Sequence, residues 1–282
     1  MTSPSLSTFA SSYKENGFYF PYDVMAPEEA AASRVRLEAL EQSHSGFSFG
    51  NKGQLNQAHI LFRFAYDIAA NPRILDAVEA IIGPDILVWG STYFIKEPQS
   101  HSFISWHQDL KYWGLDDDAL VSCWVAISPV TRANGCMRFV PGSHRMDLLE
   151  HRDTFDNANA LTRGQEAVID IDETSTAYAE LKPGQASFHH GKLLHASSPN
   201  LTDDRRIGLT INYMAPHMRQ IVADTDFAML VRGKDRYGHF EEVPPPESDM
   251  SAEAVDWHNR VVAAQNGALY VGTTNPPGVR AV

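Results

Sequence analysis

The middle of this sequence is a run of short β-type segments separated by turn residues, and this pattern restricts the fold more than any other feature. β-Branched and aromatic residues fill 86–95 and 120–127, as is typical of buried strands. Because no helical pattern separates the segments at regular intervals, a doubly wound parallel sheet is not expected. The pattern predicts an antiparallel sandwich or jelly roll with strands at 86–95, 120–127, 137–140, 177–181, 185–189 and 207–214.

Helical patterns flank this β region on both sides. Residues 27–40 are rich in Ala, Glu, Arg and Leu, which favour helices. Pro72 occupies the first position of a second predicted helix, which ends at Gly83. A third helix is predicted over residues 251–266. We therefore expect one domain over residues 1–282, with a helical part at 1–83, a core at 84–216 and a C-terminal extension at 217–282.

Charge and cysteine content narrow the class of partner. The 35 acidic and 23 basic residues give a net charge of -12, which argues against binding to nucleic acid. Two cysteines are too few for a disulfide scaffold or a thiolate metal site, whereas twelve histidines favour nitrogen and oxygen ligands. The sequence predicts neither a signal peptide nor a membrane-spanning segment. We expect a cytoplasmic protein that acts on a small molecule.

The segment with the clearest chemistry is Trp106-His107-Gln108-Asp109. In an extended chain, residues i and i+2 point the same way, so His107 and Asp109 can reach one point. His195, which follows the strand at 185–189, is the best third ligand. Two histidines and one carboxylate hold non-haem Fe(II) and leave positions open, although a surface histidine beside a solvated aspartate is the simpler alternative.

Four segments make the chain similar to a known family. They are WHQDLKYWGL at 106–115, WVAI at 124–127, NGCMRFVPGSHR at 134–145 and HASSPNLTDDRR at 195–206. On these segments the chain resembles the phytanoyl-CoA dioxygenase family of Fe(II)/2-oxoglutarate-dependent oxygenases, which includes ectoine hydroxylases. The resemblance implies a mainly β fold with helical flanks around a double-stranded β-helix, the cupin-like jelly roll. It also implies O₂ as the second cosubstrate.

The resemblance further implies roles for individual residues. It assigns the iron to His107, Asp109 and His195. It assigns the distal carboxylate of 2-oxoglutarate to Arg206, a residue type that pairs bidentately with carboxylates. The other residues that it places at the cosubstrate are Ser197, Lys96 and Trp124. Because halogenases of this family carry a small residue where Asp109 stands, hydroxylation with release of succinate and CO₂ is expected, and desaturation or ring closure stays open.

Candidate substrate residues follow from the same loops. They are Trp113, Tyr112, Lys111 and His190, and which of His189 and His190 faces the pocket stays open. Aromatic rings can bind an ammonium, while Lys96, Lys111 and Arg138 can bind an anion. We therefore predict a small zwitterionic or anionic metabolite, for example an aminoalkylphosphonate or an amino-acid derivative.

Three alternatives stay open at this point. The first is an acyl-CoA hydroxylase of the same family, and the second is a non-catalytic jelly-roll binding protein. The third is a zinc or manganese hydrolase that uses the same three ligands. The helical flanks could serve as a homodimer surface or could only cover the sheet.

Overall fold

The computed structural model describes residues 5–43 and 53–269. Within these ranges the helices are α1 (Leu6–Asn16), α2 (Pro27–Ser43), α3 (Ala58–Leu61), α4 (Arg63–Ala69), α5 (Pro72–Ile82), α6 (Leu110–Trp113) and α7 (Ala252–Leu269). Local chemistry explains α5, because the Asn71 side chain accepts a hydrogen bond from the Arg73 N–H at 2.9 Å and Pro72 follows the cap. The three predicted helices correspond to α2, α5 and α7 and are confirmed.

Strands make up most of the remaining structure. In chain order they are β1 (Phe18–Asp23), β2 (Gln54–Asn56), β3 (Ile86–Lys96), β4 (Ile104–His107), β5 (Leu120–Ala126), β6 (Met137–Phe139), β7 (His151–Asp153), β8 (Gln165–Ala167), β9 (Ala177–Ala179), β10 (Gln185–His189), β11 (His195–Ser197), β12 (Arg206–Met214), β13 (Phe227–Arg232) and β14 (Glu241–Glu242). The predicted mainly β fold with helical flanks is confirmed. Strands also occur outside the central region, since β1, β2 and β13 join the same sheet as the core strands.

Two sheets carry the architecture. The large sheet has the order β1-β10-β5-β12-β3-β13-β14, with β2 paired to β3, and the small sheet has the order β4-β11-β6-β9. Most of these pairings are antiparallel, as the turn-rich sequence predicts. Strands β7 and β8 pair only with each other and form a separate antiparallel hairpin.

Side chains along β12 point alternately into the hydrophobic core and into a cavity. Ile207, Leu209 and Ile211 are buried in the main hydrophobic cluster, which the helices share. Their neighbours Arg206 and Thr210 instead line a cavity between the two sheets. Because successive side chains of a strand point to opposite faces, one strand serves both regions.

A β-bulge in β3 changes this alternation near one end of the cavity. Asn212 pairs with Gly90 and Tyr213 pairs with Val88, so Trp89 is the extra residue. Trp89 and Gly90 consequently both line the cavity. The predicted strand at 86–95 is confirmed, and the isolated Gly90 was the available signal for its bulge. None of the helices in the described ranges is long and apolar enough to cross a membrane.

Candidate metal and cosubstrate site

Two of the three predicted metal ligands lie on neighbouring strands of the small sheet. His107 ends β4 and His195 begins β11, and the two residues are directly paired across the strands. Asp109 lies beyond β4 with φ -57° and ψ -48°, at the start of α6. The extended chain predicted through Asp109 is therefore wrong, and a helical turn brings its carboxylate back. One candidate ligand atom from each of the three side chains lies within 4.8 Å of the others.

Backbone carbonyls orient both imidazole rings. His107 Nδ1 lies 2.9 Å from the carbonyl oxygen of Ser105, and His195 Nδ1 lies 2.9 Å from that of Leu193. A carbonyl only accepts hydrogen bonds, so each Nδ1 carries a proton, while each Nε2 faces the Asp109 carboxylate. His107 Nε2 lies 3.1 Å from Oδ1 of Asp109. With the proton on Nδ1, Nε2 is the ring nitrogen that can bind a metal.

Electrostatics keep the same groups in the forms that bind a cation. Burial alone would raise the pKa of Asp109, but His195 and His107 hold it well below its usual range. Burial, followed by the neighbouring His107, lowers the pKa of His195 to about 3. Asp109 is therefore ionised and His195 neutral, which are the forms in which these side chains bind metal ions.

Of the two adjacent histidines at the end of β10, His189 faces the cavity. Its Nε2 lies 3.6 Å from Oδ2 of Asp109, and its ring centroid lies 4.8 Å from that of His195. His190 does not line the cavity, because consecutive strand residues point to opposite sides. Its Nε2 instead lies 3.8 Å from a carboxylate oxygen of Asp118. The structure therefore gives no support to the prediction of His190 as a substrate residue.

Arg206 is a buried cation whose charge has no partner among the described residues. It is 2% exposed, and its guanidinium lies 5.3 Å from the centre of the Trp124 ring. Its Nε is buried without a hydrogen-bond acceptor, and burial lowers its pKa to about 10. Gly208 makes room for the indole, since a Cβ there would lie 1.8 Å from Trp124 Cζ2. An unpaired buried guanidinium is a site for a carboxylate.

Lys96 lies opposite Arg206 in the β3–β12 pair. Its Nζ donates to Ser197 Oγ at 2.7 Å and to the Ser198 carbonyl at 2.5 Å. Burial, followed by the charge of Arg206, lowers the pKa of Lys96 to about 6. Arg206, Ser197 and Trp124 line the cavity, whereas Lys96 lies behind Ser197. The four predicted cosubstrate residues are thus brought together in the structure.

The cavity has a volume of about 220 Å³ and contains the metal cluster on one wall. Of the predicted substrate residues, Tyr112 and Trp113 line it. Lys111 is exposed on α6 and does not line it, so its prediction is not supported. Sequence reasoning missed several polar and aromatic lining residues, among them Gln57, Trp89, Asn212 and Gln265.

Comparison with known proteins agrees with this geometry. A probable phytanoyl-CoA dioxygenase from Caenorhabditis elegans is 28% identical over 52% of this chain and 50% of its own length. A probable alpha-ketoglutarate-dependent hypophosphite dioxygenase from Stutzerimonas stutzeri is 27% identical over 57% of each chain. The chain thus spans about half the length of these curated relatives.

A solved structure covers much more of the chain. The non-heme monooxygenase ThoJ, in its apo form, superposes with a TM-score of 0.83 and 33% identity over 93% of this chain and 97% of its own. This likeness confirms the predicted jelly-roll core, whose two sheets remain separate in the described residues. Residues 13–208 match the phytanoyl-CoA dioxygenase (PhyH) family. The chain therefore belongs to that family of Fe(II)/2-oxoglutarate-dependent oxygenases, as its four motifs predicted.

Proposed function

We propose that this chain is an Fe(II)- and 2-oxoglutarate-dependent dioxygenase that hydroxylates a C–H bond of a small polar metabolite. One observation carries the proposal. A cluster of two histidines and a carboxylate shares one cavity with a buried arginine that has no anionic partner among the described residues. Such a cavity suits a divalent metal and a dicarboxylate bound side by side.

The described residues fit these two groups. His107, Asp109 and His195 would hold the iron, and Arg206 would bind the distal carboxylate of 2-oxoglutarate. Iron with 2-oxoglutarate and O₂ supplies an oxidant that hydroxylates C–H bonds and leaves succinate and CO₂. The protein orients the two imidazoles, keeps Asp109 ionised and excludes water around Arg206.

The polar side chains among the lining residues favour a substrate with polar groups. Amide side chains and indole rings surround the space, whereas a long acyl chain requires a continuous apolar channel. The predicted anionic head group finds less support. Lys96 binds Ser197, Lys111 is exposed, and Arg138 pairs with Glu173 and lies 5.0 Å from the ring centre of Trp106. We therefore retain a small polar substrate and no longer favour an aminoalkylphosphonate.

The test is 2-oxoglutarate turnover without added substrate. We expect slow release of succinate that requires both Fe(II) and O₂, and its loss in His107→Ala. Arg206→Met should raise the 2-oxoglutarate concentration that is needed, with the metal still bound. Turnover that ignores 2-oxoglutarate and O₂ would indicate the hydrolase alternative, and binding without succinate would indicate the non-catalytic one. A cytoplasmic location and a homodimer stay predictions.

A further inference from the structure

One end of the cavity carries no charged side chain among its described lining residues. Three amide side chains form it, and we call Gln57, Asn212 and Gln265 the amide wall. Gln57 is 3% exposed and has a left-handed backbone, with φ 56°. Gln265 comes from α7, so the C-terminal helix contributes to the site. The orientation of these amides determines what the wall can recognise.

A buried carboxylate sets that orientation. Asp226 is 4% exposed and accepts hydrogen bonds from Trp89 Nε1 at 2.7 Å and from the Phe227 N–H at 2.8 Å. Gln265 Nε2 lies 3.3 Å from the Trp89 carbonyl and 3.4 Å from Asp226. Both of these groups only accept hydrogen bonds, so the amide nitrogen of Gln265 must face them and its oxygen must face away.

The same hydrogen-bond argument fixes the orientation of the Gln57 amide. Because Gln265 presents its oxygen, Gln57 donates to it through Nε2. Oε1 of Gln57 is then left buried, and no described residue donates a hydrogen bond to it. A buried acceptor without a donor is unfavourable by an amount comparable to a lost hydrogen bond, so this oxygen is suited to a donor from a ligand.

Gly90 leaves space in front of this acceptor. A Cβ at Gly90 would lie 3.3 Å from Gln57 Nε2 and 3.9 Å from both Gln57 Oε1 and Asn212 Nδ2. Asn212 Oδ1 accepts from Ser122 Oγ at 3.0 Å, so its Nδ2 remains a donor. An acceptor and a donor therefore border one small space, which exists because β3 has a glycine beside its bulge.

We propose that the amide wall selects an uncharged substrate group that both donates and accepts hydrogen bonds, best matched by a carboxamide. This inference rests on the proposed function of the cavity. A carboxylate or phosphonate would face Gln57 Oε1 with a second acceptor, and no described lining residue at this end supplies a positive charge. A hydroxyl group offers the same pair of functions with one atom.

The experiment uses fragments in matched sets. Each set places a carboxamide, an alcohol, a carboxylate and an amine on one carbon skeleton, for example isovaleramide, isoamyl alcohol, isovalerate and isoamylamine. Binding is measured by ligand-observed NMR on the full chain loaded with Zn²⁺ and 2-oxoglutarate. We expect carboxamides or alcohols to bind at least tenfold more tightly than their charged counterparts. Equal binding across a set, tighter binding of a charged member, or no carboxamide or alcohol binding overturns the inference.

The 2-oxoglutarate titration on the same sample keeps the two proposals apart. If 2-oxoglutarate does not bind, the proposed function fails. If it binds and the neutral fragments show no preference, only the amide wall fails. Two variants then locate the effect. Gln57→Met should weaken carboxamide binding about tenfold relative to 2-oxoglutarate binding. Gly90→Ala, which needs no unusual backbone, should do the same by filling the space.

The chain offers a matched control for Gln57. Gln99 is also a glutamine with a left-handed backbone, at φ 52°, but it is exposed and binds Leu201 and Asp203. Gln99→Met should leave the binding of every fragment unchanged. Equal losses in Gln57→Met and Gln99→Met would mean that the effect is general, and unchanged carboxamide binding in both Gln57→Met and Gly90→Ala would refute the amide wall.

Discussion

The two ends of the cavity differ in how their buried polar groups are paired. At the end that contains the metal cluster and Arg206, which we call the charged end, Arg206 is buried with no counter-charge among the described residues, and Lys96 is held by neutral oxygens. At the amide wall, the carboxylate of Asp226 is satisfied by neutral donors, and an acceptor on Gln57 has no donor among the described residues. The unpaired charge of Arg206 should lower the stability of the apo protein and should bind an anion tightly. The unpaired acceptor of Gln57 should lower stability less and should discriminate between ligands by their hydrogen-bond pattern.

The largest expected effect concerns the metal cluster, which belongs to the charged end. Asp109→Ala removes the carboxylate from the three-ligand cluster, and we expect metal affinity to fall by more than about a hundredfold. Succinate release should disappear with it. Metal titration followed by calorimetry measures the first effect. An Asp109→Ala protein that binds Fe(II) as tightly as the wild type would show that the cluster is not the metal site.

The next effect separates binding from stability. Arg206→Met removes the buried guanidinium, so 2-oxoglutarate affinity should fall by roughly a hundredfold as its charge-assisted hydrogen bonds are lost. The free energy of unfolding of the apo protein should rise, by about 1–3 kcal/mol, because an unpaired buried charge is replaced by an apolar chain. Calorimetry and denaturant unfolding measure the two quantities. A less stable apo variant would contradict the contrast between the two ends.

These two ends also differ in how much of them the sequence could predict. The charged end lies in two short segments, where His107 and Asp109 are two residues apart and Arg206 follows His195 by eleven. The turn at Asp109 was misjudged as extended, because backbone conformation after a strand depends on tertiary contacts. The resemblance nevertheless named residues that the structure brings together.

The amide wall had no comparable local pattern. Gln57 precedes α3, Asn212 lies on β12 and Gln265 lies on α7, and nothing in the sequence distinguishes these amides from solvated ones. Their convergence is a product of packing between distant elements. Only Gly90, an isolated glycine in a predicted strand, signalled a bulge. Packing between distant elements also explains why His190 and Lys111 were predicted for the cavity, whereas His189 and Trp89 line it.

A smaller effect tests whether the Trp124 ring holds the guanidinium of Arg206 in place. A Cβ in Gly208→Ala would lie 1.8 Å from Trp124 Cζ2, so the indole must move away from Arg206. We expect a loss of stability of about 1–3 kcal/mol from overpacking and a weaker affinity for 2-oxoglutarate. Denaturant unfolding and calorimetry measure both. Gly267→Ala is the control, because no atom of the described residues lies within 4 Å of a Cβ there and its helical position tolerates alanine.

The last effect is a dependence of stability on pH that the charged end should show and the amide wall should not. The pKa of Lys96 is lowered to about 6 in the folded protein from 10.5, chiefly by burial. Between these two values the unfolded chain binds more protons than the folded one, so the free energy of unfolding should increase with pH. The slope from this residue is at most about 1.4 kcal/mol per pH unit, and it vanishes below pH 6.

Lys96→Met should remove this slope, which is measured as the difference between the wild type and the variant from pH 6 to 9. Saturating 2-oxoglutarate should flatten the slope of the wild type, because a carboxylate beside Arg206 favours protonated Lys96. Carboxamide affinity at the amide wall should stay constant over the same range, since Gln57, Asn212 and Gln265 do not titrate. A slope that persists in Lys96→Met must arise elsewhere, and a carboxamide affinity that follows it would mean that the two ends are coupled.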